Sequence, residues 1–391
     1  MDNFRLPAEW EAQWGVMLTW PHENTDWKPY LTEITETFVA MSREIAAREH
    51  LLIVVPKAEI VPEEIRKMER VVIFECPTDD TWARDHGPIV LKGSEGDGKR
   101  SERGVKECGV WSEECGVRRL WLDFRFNGWG EKFPAENDNR IVSWLFEEMT
   151  RSEERGARNE KCSMSKVQCP MSNVQLENHQ DFVLEGGSIE SDGRGTIFTT
   201  SQCLLAPNRN QPLTREEIEA ELKRRLRAER IVWLDHGNLV GDDTDGHIDT
   251  IVRCAPDDTL LYVGCDDEND EQFADFQALE QQLKSLQTAD GKPYRLLRLP
   301  MPDTIFEETI SEEGGTRREE RERLPATYAN FLILNGAVLA PVYGQPENDA
   351  KALRVIGEAF PDRDIIPIDA RTIIRQHGSI HCLTMQIPSQ I

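Results

Sequence analysis

No nucleotide signature runs through this 391-residue chain. There is no GxxxxGK[ST] phosphate loop and no GxGxxG, so nothing points to nucleoside triphosphate or dinucleotide chemistry. Basic residues are scarce beside acidic ones, 46 Lys and Arg against 71 Asp and Glu, for a formal net charge of −25. That balance argues against a nucleic acid partner, whose phosphates would be repelled. It suits a small cationic substrate, although solubility alone also calls for charge. No apolar run approaches the ~20 residues that span a bilayer, so no membrane role is expected. The start, MDNFRLPAEWEAQW, lacks the basic and then apolar segments of a leader, and a cytoplasmic protein is expected. The close CxxC spacing of zinc ribbons is missing as well. The nine cysteines then read as reduced thiols rather than a disulfide framework. Cys108 with Cys115 and Cys162 with Cys169 share one spacing, which reads as coincidence rather than a metal site.

What is present is a repeating pattern. WGVMLTW (14–20), the amphipathic stretch 31–50 and LLIVV (51–55) read as strand, helix and strand. The same order recurs at 195–205, 214–226 and 230–235, at 259–265, 271–286 and 294–300, and at 337–343, 347–360 and 364–369. A further unit runs from PIVL (88–91) and LWLDFRF (120–126) to a helix over 137–150. Apolar residues at helical spacing between short apolar strands predict β–α–β units. Five similar units predict one α/β domain built from internal repeats over 1–391. Segments 93–118, 151–175 and 310–324 are charged, glycine-bearing and poor in apolar residues, and read as surface insertions.

Four stretches hold candidate chemistry. TDDTWARDHGP (78–88) sets Trp82 three residues before Asp85, and a carboxylate beside an indole suits a planar cation such as guanidinium; an Arg84–Asp85 surface turn is the plainer reading. LEGGSIE places Glu185 before two glycines, which allow close backbone approach or simply a hairpin turn. GDDTDGHIDT (241–250) is predicted to enter a strand, with His247 and Asp249 on one face. A histidine beside carboxylates favours its charged form, which suits a general acid; a solvated loop or a divalent-cation site is the alternative. Near the C-terminus, IHCLTMQI (380–387) reads as a strand with Cys382 on the face opposite His381. On that reading His381 is a poor activator of the thiol, and partners for Cys382 must come from elsewhere in the chain.

Taken in order, WPHENTDW (20–27), TWARDHGP (81–88), FNGWGEKFPAENDN (126–139), LEGGSI (184–189), DDTDGHIDT (242–250), YANFLILNGAVLAPVYG (328–344) and HGSIHC (377–382) resemble the agmatine deiminase and bacterial-type peptidylarginine deiminase family of guanidino-group-modifying enzymes. The likeness covers nearly the whole chain outside the insertions. It implies a five-bladed α/β propeller (pentein) of pseudo-fivefold ββαβ repeats, with the substrate on the axis. It implies Cys382 as nucleophile, His247 as general acid and base, and Asp85 and Asp249 as the carboxylates that hold guanidinium. Trp82 matches a substrate-contacting wall, Glu185 a polar pocket residue and Asp243 an acidic position supporting the site.

The reaction so implied is hydrolysis of agmatine to N-carbamoylputrescine and ammonia, a step of putrescine formation in polyamine metabolism, needing no cofactor. Peptidylarginine is the runner-up substrate, for which Arg125 could meet a carboxylate. An amidinotransferase is the weaker enzyme reading, and a silent propeller acting as a scaffold is the reading from another class. A homo-oligomer is possible. The resemblance departs at FNGWGEKFPAENDN, which is shorter than its usual counterpart, so the wall facing the substrate's far end is left open.

Overall fold

The computed structural model describes residues 4–93, 119–157, 174–313 and 316–389. In the first unit, helix Leu31–Arg48 buries Ile34, Phe38, Met41 and Ile45, one stripe at helical spacing. That stripe lies against strand His50–Val55, whose last five residues are all buried. Each such side chain removed from water contributes about 1.5–3 kcal/mol. Helix Arg215–Leu226 starts on a capping box, in which Thr214 and Glu217 satisfy each other's backbone N–H groups.

Among the described residues, five sheets share one strand pattern: an antiparallel pair followed by a parallel neighbour reached through a helix. In the fifth, Leu332–Leu334 runs antiparallel to Ala337–Val342, which pairs in parallel with Asp364–Asp369. The first sheet joins the two ends of the chain. Thr384–Pro388 lies antiparallel to Gln13–Thr19, with Thr384 opposite Leu18. This pairing ties down a terminus that would otherwise fray, and Cys382 sits two residues before the tied strand.

Several expectations need correction. The strand at the C-terminus begins at Thr384, so His381 and Cys382 lie in the turn before it and strand alternation does not apply to them. The unit holding 88–91 and 120–126 closes with Val174–Val183, parallel to Arg119–Arg125. Its polar sequence VQLENHQDFV hid it. Helix Ile141–Ala157 extends into the segment assigned to the second insertion. Of the third segment, residues 310–313 and 316–323 belong to antiparallel strands, Phe306–Glu313 pairing with Thr316–Arg323. The base of this pair is anchored by Glu307, which accepts from Tyr30 Oη at 3.0 Å and Arg375 Nε at 3.0 Å. Residues 94–118, with Cys108 and Cys115, and 158–173, with Cys162 and Cys169, fall outside the described residues. No described helix is long and apolar enough to cross a membrane.

Buried apolar side chains form two contiguous sets. Trp82, Trp129 and Cys382 belong to one, and Ala83 and Met385 to the other. The candidate site lies where the two meet.

Candidate active site

The loop before Trp82 is fixed by side chains buried beneath it. Asp138 accepts from the backbone N–H groups of Asp79 at 2.8 Å and Asp80 at 2.9 Å, and Trp27 Nε1 donates to Thr81 Oγ1 at 2.7 Å. The chain then makes a helical turn, Ala83–His86, all of it buried. The surface turn that Arg84–Asp85 suggested is therefore absent: Asp85 is only 4 % exposed. Its Oδ2 accepts from Trp129 Nε1 at 3.0 Å and its Oδ1 from Gly187 N at 3.0 Å. The Trp82 ring packs against the backbone at Gly378, where an added Cβ would come within 2.2 Å of it.

His247 and Asp249 do not enter a strand. They occupy a short 3-10 turn, with Ile248–Thr250 helical and His247 at its N-cap. Asp242 shapes the approach, accepting from Thr244 Oγ1 at 2.7 Å and Gly246 N at 2.7 Å, while Thr244 Oγ1 accepts from His247 N at 3.0 Å. Glu185 precedes the short turn Gly186–Ser188 rather than a hairpin. A Cβ on Gly187 would lie 2.5 Å from His247 Nδ1, 3.0 Å from Asp85 Oδ1 and 3.2 Å from Asp249 Oδ2. Only glycine lets these three groups converge.

Asn330 seats the cysteine. Its Oδ1 accepts from His381 N at 2.9 Å and Cys382 N at 3.2 Å, and its Nδ2 donates to Cys382 Sγ at 3.2 Å and Asp249 O at 3.3 Å. Cys382 Sγ lies 3.7 Å from Asp249 Oδ2. Residues from six separate stretches thus meet, as the distant partners expected for Cys382.

The electrostatics divide these groups. Burial opposes a charge on His247, but Asp85, Cys203 and Glu185 more than offset it and hold the imidazole well above its ordinary pKa. Neither ring nitrogen has a hydrogen-bond partner; the nearest carboxylates are Asp85 at 3.7 Å and Glu185 at 3.9 Å. Burial, with Asp249 and Glu185 nearby, raises Asp85 to about 6 against the pull of His247. Burial and then the Asp249 and Asp85 carboxylates push the Cys382 thiol well above its usual range. The resting thiol is therefore protonated, and a cation arriving between those carboxylates removes the repulsion that keeps it so. Glu185, buried, is held below its ordinary value by His247 and Arg209. Arg209 donates to it at 2.9 Å and to Thr244 O at 2.9 Å, tying the loop to the pocket.

A cleft opens above. Cys382 and Asp85 lie in it, Trp82, Trp129 and Phe133 form walls, and Asp26, Asp80 and Asp243 stand around it. Among the described residues no lysine or arginine lines it. Arg125 ends its strand exposed and is not among the lining residues. Of the seven residues singled out in the sequence, Cys382, Asp85, Trp82 and Asp243 border the cleft. His247, Asp249 and Glu185 are fully buried. Sequence reasoning missed Trp129, Asn330, Arg209, Cys203 and Asp242. Trp129 and Asn330 stood inside recognised motifs, but nothing in a linear pattern marks which polar atom reaches the site.

The family model for Porphyromonas-type peptidyl-arginine deiminase matches residues 5–388. Agmatine deiminase of Pseudomonas putida is 32% identical, across 100% of this chain and 97% of that protein. A Porphyromonas gingivalis structure, solved as that of a candidate arginine deiminase, is 41% identical with a TM-score of 0.77, covering 99% of both chains. A cysteine-to-serine form of C. jejuni agmatine deiminase with substrate bound is 33% identical with a TM-score of 0.78, covering 98% of this chain and 96% of that one.

Proposed function

The chain belongs to the Porphyromonas-type peptidyl-arginine deiminase family, and from that premise we propose that it is an agmatine deiminase using Cys382 as its nucleophile. The observation that carries the choice of substrate is the charge of the cleft. Asp85 lies in it with Asp249 buried beside it, Asp26 and Asp243 stand around it, and among the described residues it has no lysine or arginine in its lining. Agmatine is a dication, and its amine suits such a site. An arginine substrate would bring a carboxylate or backbone into a field of the same sign, with Arg125 outside the lining.

The chemistry follows from the groups in place. Asp85 and Asp249 pair with the guanidinium nitrogens and present the central carbon to Cys382 Sγ. The substrate's cation offsets the charge that suppresses thiol ionisation, and the thiol proton passes to solvent, to be regained when the sulfur is released. The thiolate adds to the carbon, and His247, charged beforehand, protonates the departing nitrogen so that ammonia leaves. The remaining S-linked thiouronium is attacked by water, which His247 now deprotonates. Collapse of that adduct releases N-carbamoylputrescine and regenerates the sulfur. Trp82 and Trp129 wall the cation from water. The five units of shared strand order would close around this site as a pentein-type propeller.

Parallel assays of ammonia and ureido product with agmatine, free arginine and a peptide ending in arginine test the assignment. Turnover confined to agmatine is expected. Preference for the peptide would replace it with peptidylarginine deimination.

A further inference from the structure

Asp85 and Asp249 stand beside the same glycine, both buried, yet they titrate in opposite directions. Asp85 is raised to about 6. Asp249 is held below its ordinary value in spite of burial, chiefly by His381. The difference is in the donors. Asp85 receives neutral ones, an indole and a backbone amide. Asp249 Oδ2 lies 2.7 Å from His381 Nδ1. On the other side of that ring, Nε2 is 2.9 Å from Glu9 Oε1 and 3.0 Å from Oε2.

Glu9 is an acceptor only. Arg84 donates to it at 2.8 Å and Gln386 at 3.0 Å, and Arg253 also pairs with it. With these three donors around it, besides the His381 ring, Glu9 has its pKa lowered well below the ordinary value despite burial. Both nitrogens of the fully buried His381 ring therefore face carboxylates, and the ring bridges Glu9 and Asp249. With Asp249 Oδ2 occupied by this ring, Oδ1 has no hydrogen-bond partner in the protein.

We propose that His381 is a positioning residue: clamped between Glu9 and Asp249, it fixes one oxygen of Asp249 and leaves the other, charged, for the substrate's guanidinium. The pairing acts through Asp249, whose Oδ2 also lies 3.7 Å from Cys382 Sγ; the strand alternation behind the expectation that His381 is a poor activator of the thiol does not apply, because the strand begins at Thr384. This role rests on the deiminase reading above.

The groups around the pair are few. Asp249 is faced by His381, His247, Arg253, Cys382 and Asp85. His381 is faced by Glu9 and Asp249, and Glu190 stands behind them paired with Arg253. Arg253 remains when His381 is changed, so the loss of support for Asp249 is partial and measurable.

The test uses the full chain with His381→Asn, which keeps an N–H near Asp249 but loses the ring and its reach to Glu9, and with Glu9→Gln. In His381→Asn, KM for agmatine should rise roughly ten- to hundredfold with a smaller fall in kcat. The acidic limb of kcat/KM, set in the parent by Asp85 at about 6, should steepen and move up, because Asp249 loses the chief group that holds its pKa down and joins Asp85 in taking up protons. Glu9→Gln should give a smaller shift in the same direction, and it keeps the proposal testable if His381→Asn does not fold. Independently of turnover, Cys382 is alkylated with chloroacetamidine, which carries an amidinium and loses chloride to the thiolate, and with neutral iodoacetamide. The rate ratio favouring the amidinium should fall at least tenfold in His381→Asn. Parent-like KM, acidic limb and labelling ratio in both variants would overturn the proposal. A parent that ignores agmatine but shows the labelling preference, lost in the variants, would remove the substrate assignment and leave the role of His381 standing.

Discussion

Replacing Asp85 by asparagine should make the protein more stable at neutral pH while disabling it. Burial, Asp249 and Glu185 raise this carboxyl from 3.8 to about 6. Keeping it ionised in the fold therefore costs about 3 kcal/mol at pH 7.5, two pKa units at ~1.4 kcal/mol each. An amide removes that cost. It also supplies a single acceptor oxygen where Trp129 Nε1 and Gly187 N both donate, and one buried donor left facing NH2 costs about 1–3 kcal/mol. The net gain for Asp85→Asn is about 1 kcal/mol at pH 7.5. The sign depends on pH. A carboxyl raised by folding contributes its stability below its unfolded pKa and loses it as pH rises through the folded value. Between pH 7.5 and pH 4.5 the parent should recover about 2 kcal/mol relative to the variant, so that the order reverses. Urea melts followed by fluorescence of the ten tryptophans measure this, beside kcat/KM, which should drop roughly 10²- to 10⁴-fold for loss of a charged, two-bonded contact. A stability difference that stays constant across this pH range would refute the reasoning.

Other substitutions separate the site from its scaffold. Trp129→Phe keeps the wall but removes the indole donor from Asp85, so kcat/KM with agmatine should fall about tenfold or more and its acidic limb should shift upward; steady-state kinetics across pH would show it. Asn330→Ala strips the acceptor from the Cys382 backbone N–H and one of two from that of His381, which also donates to Asn330 O at 3.1 Å, and should cost about 1–3 kcal/mol in denaturation, with a reduced kcat. Thr214→Ala should lose about 1 kcal/mol with unchanged kcat/KM, because it breaks only a helix cap far from the chemistry in sequence and contact.

Legibility followed the kind of physical signal each residue leaves. Helix Leu31–Arg48 and strand His50–Val55 were readable because burial writes a period into the sequence. Strand Val174–Val183 was not, since its hydrogen bonds to Arg119–Arg125 hold a mostly polar sequence that carries no alternation of its own. The groups assigned to guanidinium chemistry, Cys382, His247, Asp85 and Asp249, stood out through residue type and motif, and the fold brings them together. Their conformations did not stand out: His247 and Asp249 lie in a 3-10 turn and Cys382 in a turn before its strand. For that reason the alternation rule misplaced His381. Asp243 was expected to support the site, and it lines the cleft, but the carboxylate that organises the loop is its neighbour Asp242. Such differences of one residue depend on side-chain direction in irregular backbone, which no periodicity encodes. Asn330 and Arg209 act across large sequence separations, and only the packed structure joins them to their partners.

The central claim is that Cys382 carries the substrate covalently. Rapid acid quenching of the enzyme with agmatine, followed by peptide mass spectrometry, tests it most directly. The account predicts a transient adduct with the mass of agmatine less ammonia on the peptide containing Cys382, and neither adduct nor turnover in Cys382→Ser. Turnover that persists in the serine variant, or an adduct on Cys203 instead, would contradict it.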